Sequence, residues 1–139
     1  MSSIQGRVLV SGSANGEVLL LDEPLSFWGG FDPANGEIID VHHPQAGQRV
    51  GGKILVMPSS RGSAGTPACI AETLRNGCGP LAFILGTADV NISVGVSVAN
   101  RLYGLDVPVL EVAFDAVAGF KKVSRVIIFD DGSIGLLEK

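Results

Sequence analysis

The order of apolar and polar positions along the chain predicts a strand-rich first part. Runs rich in valine and leucine cover residues 6–12 and 16–22, and the short polar stretch between them is typical of a hairpin turn. An aromatic segment, residues 25–32, is interrupted by a Gly-Gly pair that favours a bend. A further apolar run, residues 36–41, begins at an Asn-Gly turn. We therefore expect several short strands joined at tight turns.

From residue 53 onward, short apolar runs alternate with helical patterns. Three continuous apolar runs are typical of strands buried on both faces of a sheet: 53–58, 80–86 and 107–113. Helices are predicted between them, over residues 66–76 and 90–104. The chain closes with a predicted hairpin around Asp131-Gly132. The whole pattern predicts an α/β fold, with a β-rich first part, a β-α-β-α-β core and a final β-hairpin.

The ends of the two predicted helices are marked by particular residues. Thr66, which precedes Pro67, is predicted to be the N-cap of the first helix. Asp89 and Asn91 are candidate caps at the start of the second helix, and Gly104 is its predicted C-cap.

Composition and charge narrow the class of protein. A length of 139 residues predicts a single domain, residues 1–139, and the formal charge of −4 argues against a nucleic-acid partner. Two cysteines do not make a disulfide framework. The chain has no apolar run near the roughly 18 residues of a membrane span and no signal-peptide pattern at its start. We expect a cytoplasmic protein that binds neither nucleic acid nor membrane.

One polar loop carries candidate chemistry. The stretch MPSSRGSAGTP, residues 57–67, leaves a predicted buried strand and enters a predicted helix, which is where open α/β sheets bind ligands. A helix N-terminus favours anions, Arg61 can bind a carboxylate or phosphate through two hydrogen bonds, and Gly62 and Gly65 allow close backbone approach. These features predict an anion pocket with a hydroxyl at its rim. An ordinary serine-rich loop before a helix is the alternative.

Other reactive residues do not complete an active site in the sequence. There is no GxSxG motif, which argues against a serine hydrolase. His42 and His43 are adjacent in a polar loop, where they are candidates for a base or a metal pair but lack further ligands. Cys69 and Cys78 are too few for an iron–sulfur cluster and are expected to be inert thiols. A serine base in the loop would need a partner to supply the remaining groups.

Four segments, in this order, resemble a known family. SFWGGFDPANGEI, HHPQAGQ, GKILVMPSSRGS and DVPV are similar to the small subunit of the aconitase X family, and the likeness covers about Gly16 to Val112. The resemblance implies a swivelling β/β/α domain, with a compact barrel-like β core and flanking helices. It also implies that this domain closes over the active site of a separately encoded large subunit, as in a heterodimer.

The resemblance further implies hydro-lyase chemistry. The large subunit of this family holds an iron–sulfur cluster or a divalent metal as a Lewis acid, and no cofactor is expected in this chain. The small subunit contributes a serine that removes a proton from the carbon beside a carboxylate. In the RGS motif that serine is Ser63, whereas alignment through the Ser-Ser-Arg sequence of aconitase itself would favour Ser59 or Ser60. Arg61 would bind the substrate carboxylate or phosphate, and Gly62 completes the predicted substrate-binding loop with the two other serines.

Two substrates are implied by different members of the family. The PSSRGSAG stretch resembles dehydratases that convert cis-3-hydroxy-L-proline to Δ1-pyrroline-2-carboxylate. Archaeal members dehydrate mevalonate 5-phosphate, whose phosphate would favour more basic residues than the lone Arg61 of this loop. A non-catalytic swivel or assembly module that only binds an anion is a third interpretation.

The aromatic segment has two interpretations. Phe27, Trp28 and Phe31 are candidates either for the contact with a large subunit or for the core. Asp32 is expected to start an Asp-Pro turn.

Overall fold

The computed structural model describes residues 2–60 and 64–139. Eight strands form one mixed sheet: β1 Ser2–Gln5, β2 Arg7–Val10, β3 Ala14–Leu20, β6 Lys53–Met57, β7 Ala82–Leu85, β8 Val109–Glu111, β9 Val123–Ile128 and β10 Ser133–Glu138. A separate two-stranded ribbon consists of β4 Phe31–Asp32 and β5 Glu37–Ile38. The helices are α1 Thr66–Arg75, α2 Val90–Tyr103 and a 3₁₀ helix, Phe114–Lys122. No helix in this described part is long and apolar enough to cross a membrane.

The large sheet curls into a nearly closed barrel. Its strand order is β1-β10-β9-β3-β6-β7-β8-β2, so the two edge strands are neighbours in sequence. Gly6 joins them, and its N–H donates to the carbonyl of Gly132 at 2.8 Å. The edges therefore meet at the Gly6 link, which leaves little open strand edge for pairing with other chains.

The predicted β-α-β-α-β core is confirmed. β3, β6, β7 and β8 run parallel, and α1 and α2 connect β6 to β7 and β7 to β8. The two helices pack against each other on one face of the sheet, where they cover Leu55 and Phe83. The alternate residues Ile54 and Ile84 point to the other face, with Phe120 of the 3₁₀ helix. This burial on both faces explains the continuous apolar runs in the sequence.

The predicted hairpin between residues 6–12 and 16–22 is wrong. β2 pairs with β8, whereas β3 pairs with β6 and β9. The intervening stretch is held by a distant residue, because the N–H and Oγ of Ser13 both lie 3.2 Å from the carboxylate of Asp106. The strands that pair with β2 and β3 are distant in sequence, since even the nearest pairing joins Glu17 to Lys53, and the local turn residues do not reveal them.

The helix caps agree only in part with the predictions. Thr66 is the first helical residue of α1 rather than its cap, since Gly65 occupies the N-cap position without a side-chain hydrogen bond. Asp89 caps α2 as predicted, and Gly104 ends it in the left-handed conformation, with φ of 65°. Asn91 lies inside the first turn of α2. The confirmed final hairpin pairs β9 with β10.

A single glycine sets how closely α2 packs against the first turn of α1. A Cβ atom on Gly95 would lie 2.8 Å from the carbonyl oxygen of Pro67 and 3.0 Å from the Cβ of Ile70. We expect Gly95→Val to lower the free energy of unfolding by about 1–3 kcal/mol, because an overpacked contact forces backbone shifts. Urea unfolding measures the change. Ser97→Val on the exposed side of α2 is the matched control, and an equal loss in both variants would contradict this packing role.

Candidate functional site

The carboxyl ends of the parallel strands bring two helix N-termini to one edge of the sheet. β6 leads through residues 58–65, here called the serine loop, into α1. The adjacent strand β7 leads through residues 86–89 into α2. Because α1 and α2 pack side by side, their N-terminal ends lie at the same edge. Both ends carry partial positive charge, which favours a negatively charged ligand between or above them.

The incoming end of the serine loop is held at Ser60. Its backbone forms an isolated parallel bridge with Leu25, a fully buried residue. Its Oγ donates to Oδ2 of Asp89 at 2.5 Å, and both side chains are partly buried. Ser59, the other serine at this end, is half-buried.

The outgoing end of the loop packs against an aromatic ring. A Cβ atom on Gly65 would lie 2.6 Å from Cε3 of Trp28, so a side chain at this position would displace the indole. Thr66 is fully buried, and its Oγ1 has no hydrogen-bond partner within residues 2–60 and 64–139. Arg61, Gly62 and Ser63 lie outside the described residues. The roles assigned to them from the sequence stay predictions.

The N-terminus of α1 has the character of an anion site. Its first turn contains no acidic residue and its cap position, Gly65, provides no side-chain acceptor. The first N–H groups of a helix have no hydrogen-bond partner within the helix, and Pro67 has no backbone N–H group. By contrast, the N-terminus of α2 is capped by a carboxylate, since Oδ1 of Asp89 accepts from the N–H of Ile92 at 2.9 Å. Of the two helices, α1 therefore has the end better suited to a ligand.

The turn before α2 is anchored by a second carboxylate. Oε2 of Glu111 accepts from the N–H of Ala88 at 2.7 Å, and Oε1 forms an ion pair with Arg7 at 2.8 Å. The Arg7 guanidinium and the Ala88 N–H hold the pKa of the Glu111 carboxyl below its usual value. Glu111 thus fixes the backbone immediately before Asp89.

The histidine pair does not form a site in the described structure. His43 is buried, and its Nδ1 accepts from the N–H of Gln45 at 3.0 Å. Its Nε2 therefore carries the proton and donates to the carbonyl of Glu23, also at 3.0 Å. His42 is exposed on the surface. The Nε2 bond holds the polar loop to the segment after β3, and the Nδ1 bond lies within the loop.

The described residues do not fit a metal centre. Cys69 lies on the buried side of α1, and this burial raises the pKa of its thiol. Cys78 lies with its Sγ 3.3 Å from the carbonyl of Pro33. Within residues 2–60 and 64–139 there is no group of three or more His, Cys, Asp or Glu side chains that could hold a metal ion.

The aromatic segment divides between core and surface. Phe27 and Phe31 are buried with ring centroids 5.3 Å apart, whereas Trp28 is 66% exposed. These three residues line one side of an apolar groove of about 580 Å³, and Ala68 and Cys69 of α1 line the other. We call this the Trp28 groove. It borders the serine loop, because the Trp28 ring that lines it also packs against Gly65.

Asp32 takes the turn position expected of it. Its Oδ1 accepts from the N–H of Ala34 at 2.9 Å, and its carbonyl accepts from the N–H of Gly36 at 2.8 Å.

The contact between Asp89 and Ser60 was not predicted from the sequence. As an N-cap, Asp89 is expected to accept a hydrogen bond through one carboxylate oxygen. No sequence signal predicts that the other oxygen accepts from Ser60, 29 positions earlier. The strand order alone gives a hint, since adjacent parallel strands place their following loops side by side.

The chain is similar in sequence to a known family and to several of its members. The family model described as the aconitase X swivel domain matches residues 3–136. The chain is 40% identical over 116 residues to a cis-3-hydroxy-L-proline dehydratase of Pseudomonas aeruginosa, an alignment that covers 82% of this chain and 20% of that protein. It is 36% identical over 135 residues to the phosphomevalonate dehydratase small subunit of Thermococcus kodakarensis, covering 93% of this chain and 98% of that subunit.

The fold has a similar solved counterpart. The crystal structure of Thermococcus kodakaraensis aconitase X in its holo-form superposes with a TM-score of 0.83 and 30% identity, over 99% of this chain and 100% of that chain. The chain thus corresponds to about one fifth of the length of the hydroxyproline dehydratase and to nearly the whole length of the small subunit.

Proposed function

The chain belongs to the aconitase X swivel-domain family, and from this premise we propose that it is the small subunit of an aconitase-like hydro-lyase. The proposed reaction removes water from a small hydroxy acid. One observation carries the proposal: the family match over residues 3–136 includes a serine loop that enters α1 at Gly65, a cap residue without a side-chain hydrogen bond. This is the position where an anionic substrate and a serine alkoxide gain the most from the helix.

In this proposal Ser63 is the base. It removes the proton from the carbon beside the substrate carboxylate as the hydroxyl leaves the neighbouring carbon as hydroxide. The proton taken up by Ser63 and this hydroxide together make up the water lost. A serine is a weak base unless its alkoxide is stabilised, and the first-turn N–H groups of α1, which begins at Thr66, can supply part of that stabilisation. Arg61 anchors the carboxylate through two hydrogen bonds.

The remaining part of the active site is assigned to a large subunit. The relatives support this division, because this chain matches one fifth of a longer dehydratase and almost all of a separate small subunit. The metal centre of the reaction, an iron–sulfur cluster or a divalent metal that polarises the leaving hydroxyl, is placed on that large subunit. The Trp28 groove is its proposed docking surface, since this apolar groove lies next to the serine loop.

Cis-3-hydroxy-L-proline is the proposed substrate. It needs one anchor for its carboxylate, and Arg61 is the only cation in the sequence of the serine loop. Mevalonate 5-phosphate is the second candidate, because a small subunit named for that substrate is 36% identical to this chain. A phosphate would favour additional basic residues near the loop.

The two substrates are compared on the complex of this chain with its large subunit. We expect water loss from cis-3-hydroxy-L-proline, measured as formation of Δ1-pyrroline-2-carboxylate, with kcat/KM at least about a hundredfold above that for mevalonate 5-phosphate, because a missing anion contact costs several kcal/mol. The reverse preference would contradict the substrate assignment. If the complex binds a carboxylate but turns over neither substrate, the result would instead support the non-catalytic module.

A further inference from the structure

Resting on the proposed function, we propose that Asp89 is a positioning residue that ties the serine loop to the N-terminus of α2 through Ser60. The two oxygens of its carboxylate have different partners. Oδ1 accepts from the N–H of Ile92, which is the capping bond of α2, at 2.9 Å. Oδ2 accepts from Oγ of Ser60 at 2.5 Å. A cap requires only the first of these bonds, so the second is a specific link between the two loops.

Asp89 is itself held firmly enough to act as an anchor. The N–H of the preceding residue, Ala88, donates to Glu111 at the end of β8. The carbonyl of Asp89 accepts from Oγ of Ser93 at 2.9 Å, one turn into α2. Asp89 is thus held by contacts both before it, at Ala88, and after it, at Ser93. The position of its Oδ2 follows from the packing of β7, β8 and α2.

Ser60 is held between this carboxylate and the buried backbone of Leu25. A hydrogen bond to an ionised carboxylate is about twice as strong as a neutral one, so this pair outweighs an ordinary loop contact. Ser60 precedes the candidate base Ser63 by three residues. The tether therefore fixes the point from which the chain departs toward Ser63, and a base displaced by about 1 Å can lose a factor of 100 in rate.

This assignment makes Ser60 a structural residue of the serine loop. Its hydroxyl proton is directed to Asp89, so Ser60 holds the loop and cannot donate a hydrogen bond to the substrate at the same time. Binding of the carboxylate then falls to Arg61.

The tether is tested first in the isolated full chain by amide hydrogen exchange in NMR. Ser60→Ala removes the donor and leaves the α2 cap intact. Asp89→Ser removes the second oxygen but keeps a residue that caps helices as well as aspartate does. We expect each variant to speed exchange of the amides of residues 25–26 and 59–60 by about tenfold, a factor that matches loss of a bond worth about 1.4 kcal/mol.

The double variant separates a shared bond from two independent effects. If Ser60 and Asp89 act through one hydrogen bond, the double variant exchanges no faster than either single variant. Ser97→Ala is the matched control, because it removes a hydroxyl from the exposed side of α2, about two turns beyond Asp89, and leaves both bonds of the Asp89 carboxylate in place. Unchanged exchange in the single variants, or additive effects in the double variant, would overturn the tether.

Activity of the complex tests the positioning role separately. We expect Ser60→Ala and Asp89→Ser to lower kcat by a similar factor, about tenfold to a hundredfold, with KM within about twofold of the wild-type value. A rise in KM alone, or a far larger loss in Ser60→Ala than in Asp89→Ser, would overturn it in favour of a direct role for Ser60. A wild-type complex without dehydratase activity would contradict the proposed function, whereas the exchange cycle would still decide whether the tether exists.

Discussion

Replacement of Ser63 by alanine is expected to lower kcat for cis-3-hydroxy-L-proline by about a thousandfold in the reconstituted complex. The reason is that general-base catalysis contributes about 10² to 10⁴ in rate, and alanine cannot accept the proton. KM and the affinity for the large subunit should stay near their wild-type values, because the substitution removes one oxygen atom and keeps the Cβ. Steady-state kinetics and size-exclusion chromatography of the complex measure the two effects.

A second serine serves as the matched control for Ser63. The hydroxyl of Ser124 on β9 donates to the carbonyl of Leu137 at 3.0 Å, away from the serine loop. Ser124→Ala should leave kcat unchanged. Full activity in Ser63→Ala would remove the base assignment from this residue and direct it to Ser59, the alternative that the tether leaves available.

Replacement of Trp28 by alanine is expected to weaken binding of the large subunit by about thirtyfold or more. An exposed aromatic side chain at the edge of an apolar groove has the features of an interface hot spot, whose truncation costs about 2 kcal/mol or more. Trp28 is the only tryptophan of the chain, so its fluorescence also reports the binding event. Titration calorimetry of wild-type and variant chains with the large subunit gives the two dissociation constants.

Phe129→Ala provides the control for loss of an exposed aromatic ring. Phe129 is 52% exposed and lies in the β9–β10 hairpin. Because β9 runs antiparallel to β3, this hairpin is at the opposite edge of the sheet from the serine loop. Its variant should bind with wild-type affinity. Equal affinities for Trp28→Ala and Phe129→Ala would contradict docking at the Trp28 groove.

The core of the fold was predictable because its strands are buried on both faces. Residues such as Leu55 and Ile84 lie on opposite sides of the sheet, and each side is covered by apolar groups, so the sequence shows continuous apolar runs. The pairing of β2 and β3 was not predictable in this way. Their partners are distant in sequence, and a short polar connection resembles a hairpin turn whether or not the flanking strands pair.

The 3₁₀ helix, Phe114–Lys122, was not predicted either. It buries only a narrow set of side chains, chiefly Val117 and Phe120, which is too few to produce a clear period in the sequence.

The place of the serine loop in the fold could be predicted, but the contacts of its described residues could not. A serine-rich stretch between a buried strand and a helix indicates the carboxyl edge of the sheet, and the structure confirms that edge. The assignment of Thr66 as a cap was wrong, because Gly65 takes the cap position and Thr66 is the first, fully buried residue of the helix. The bond from Ser60 to Asp89 depends on the adjacency of β6 and β7, which local sequence does not encode.

Reconstitution of the two polypeptides tests most directly whether this protein completes an active site. The large subunit is held at fixed concentration, loaded with its metal centre, and mixed with increasing amounts of this chain while pyrroline carboxylate is recorded. We expect no product from either polypeptide alone and a velocity that climbs to a plateau as the chain is added. A large subunit that reaches the plateau velocity unaided would show that this chain does not complete the active site.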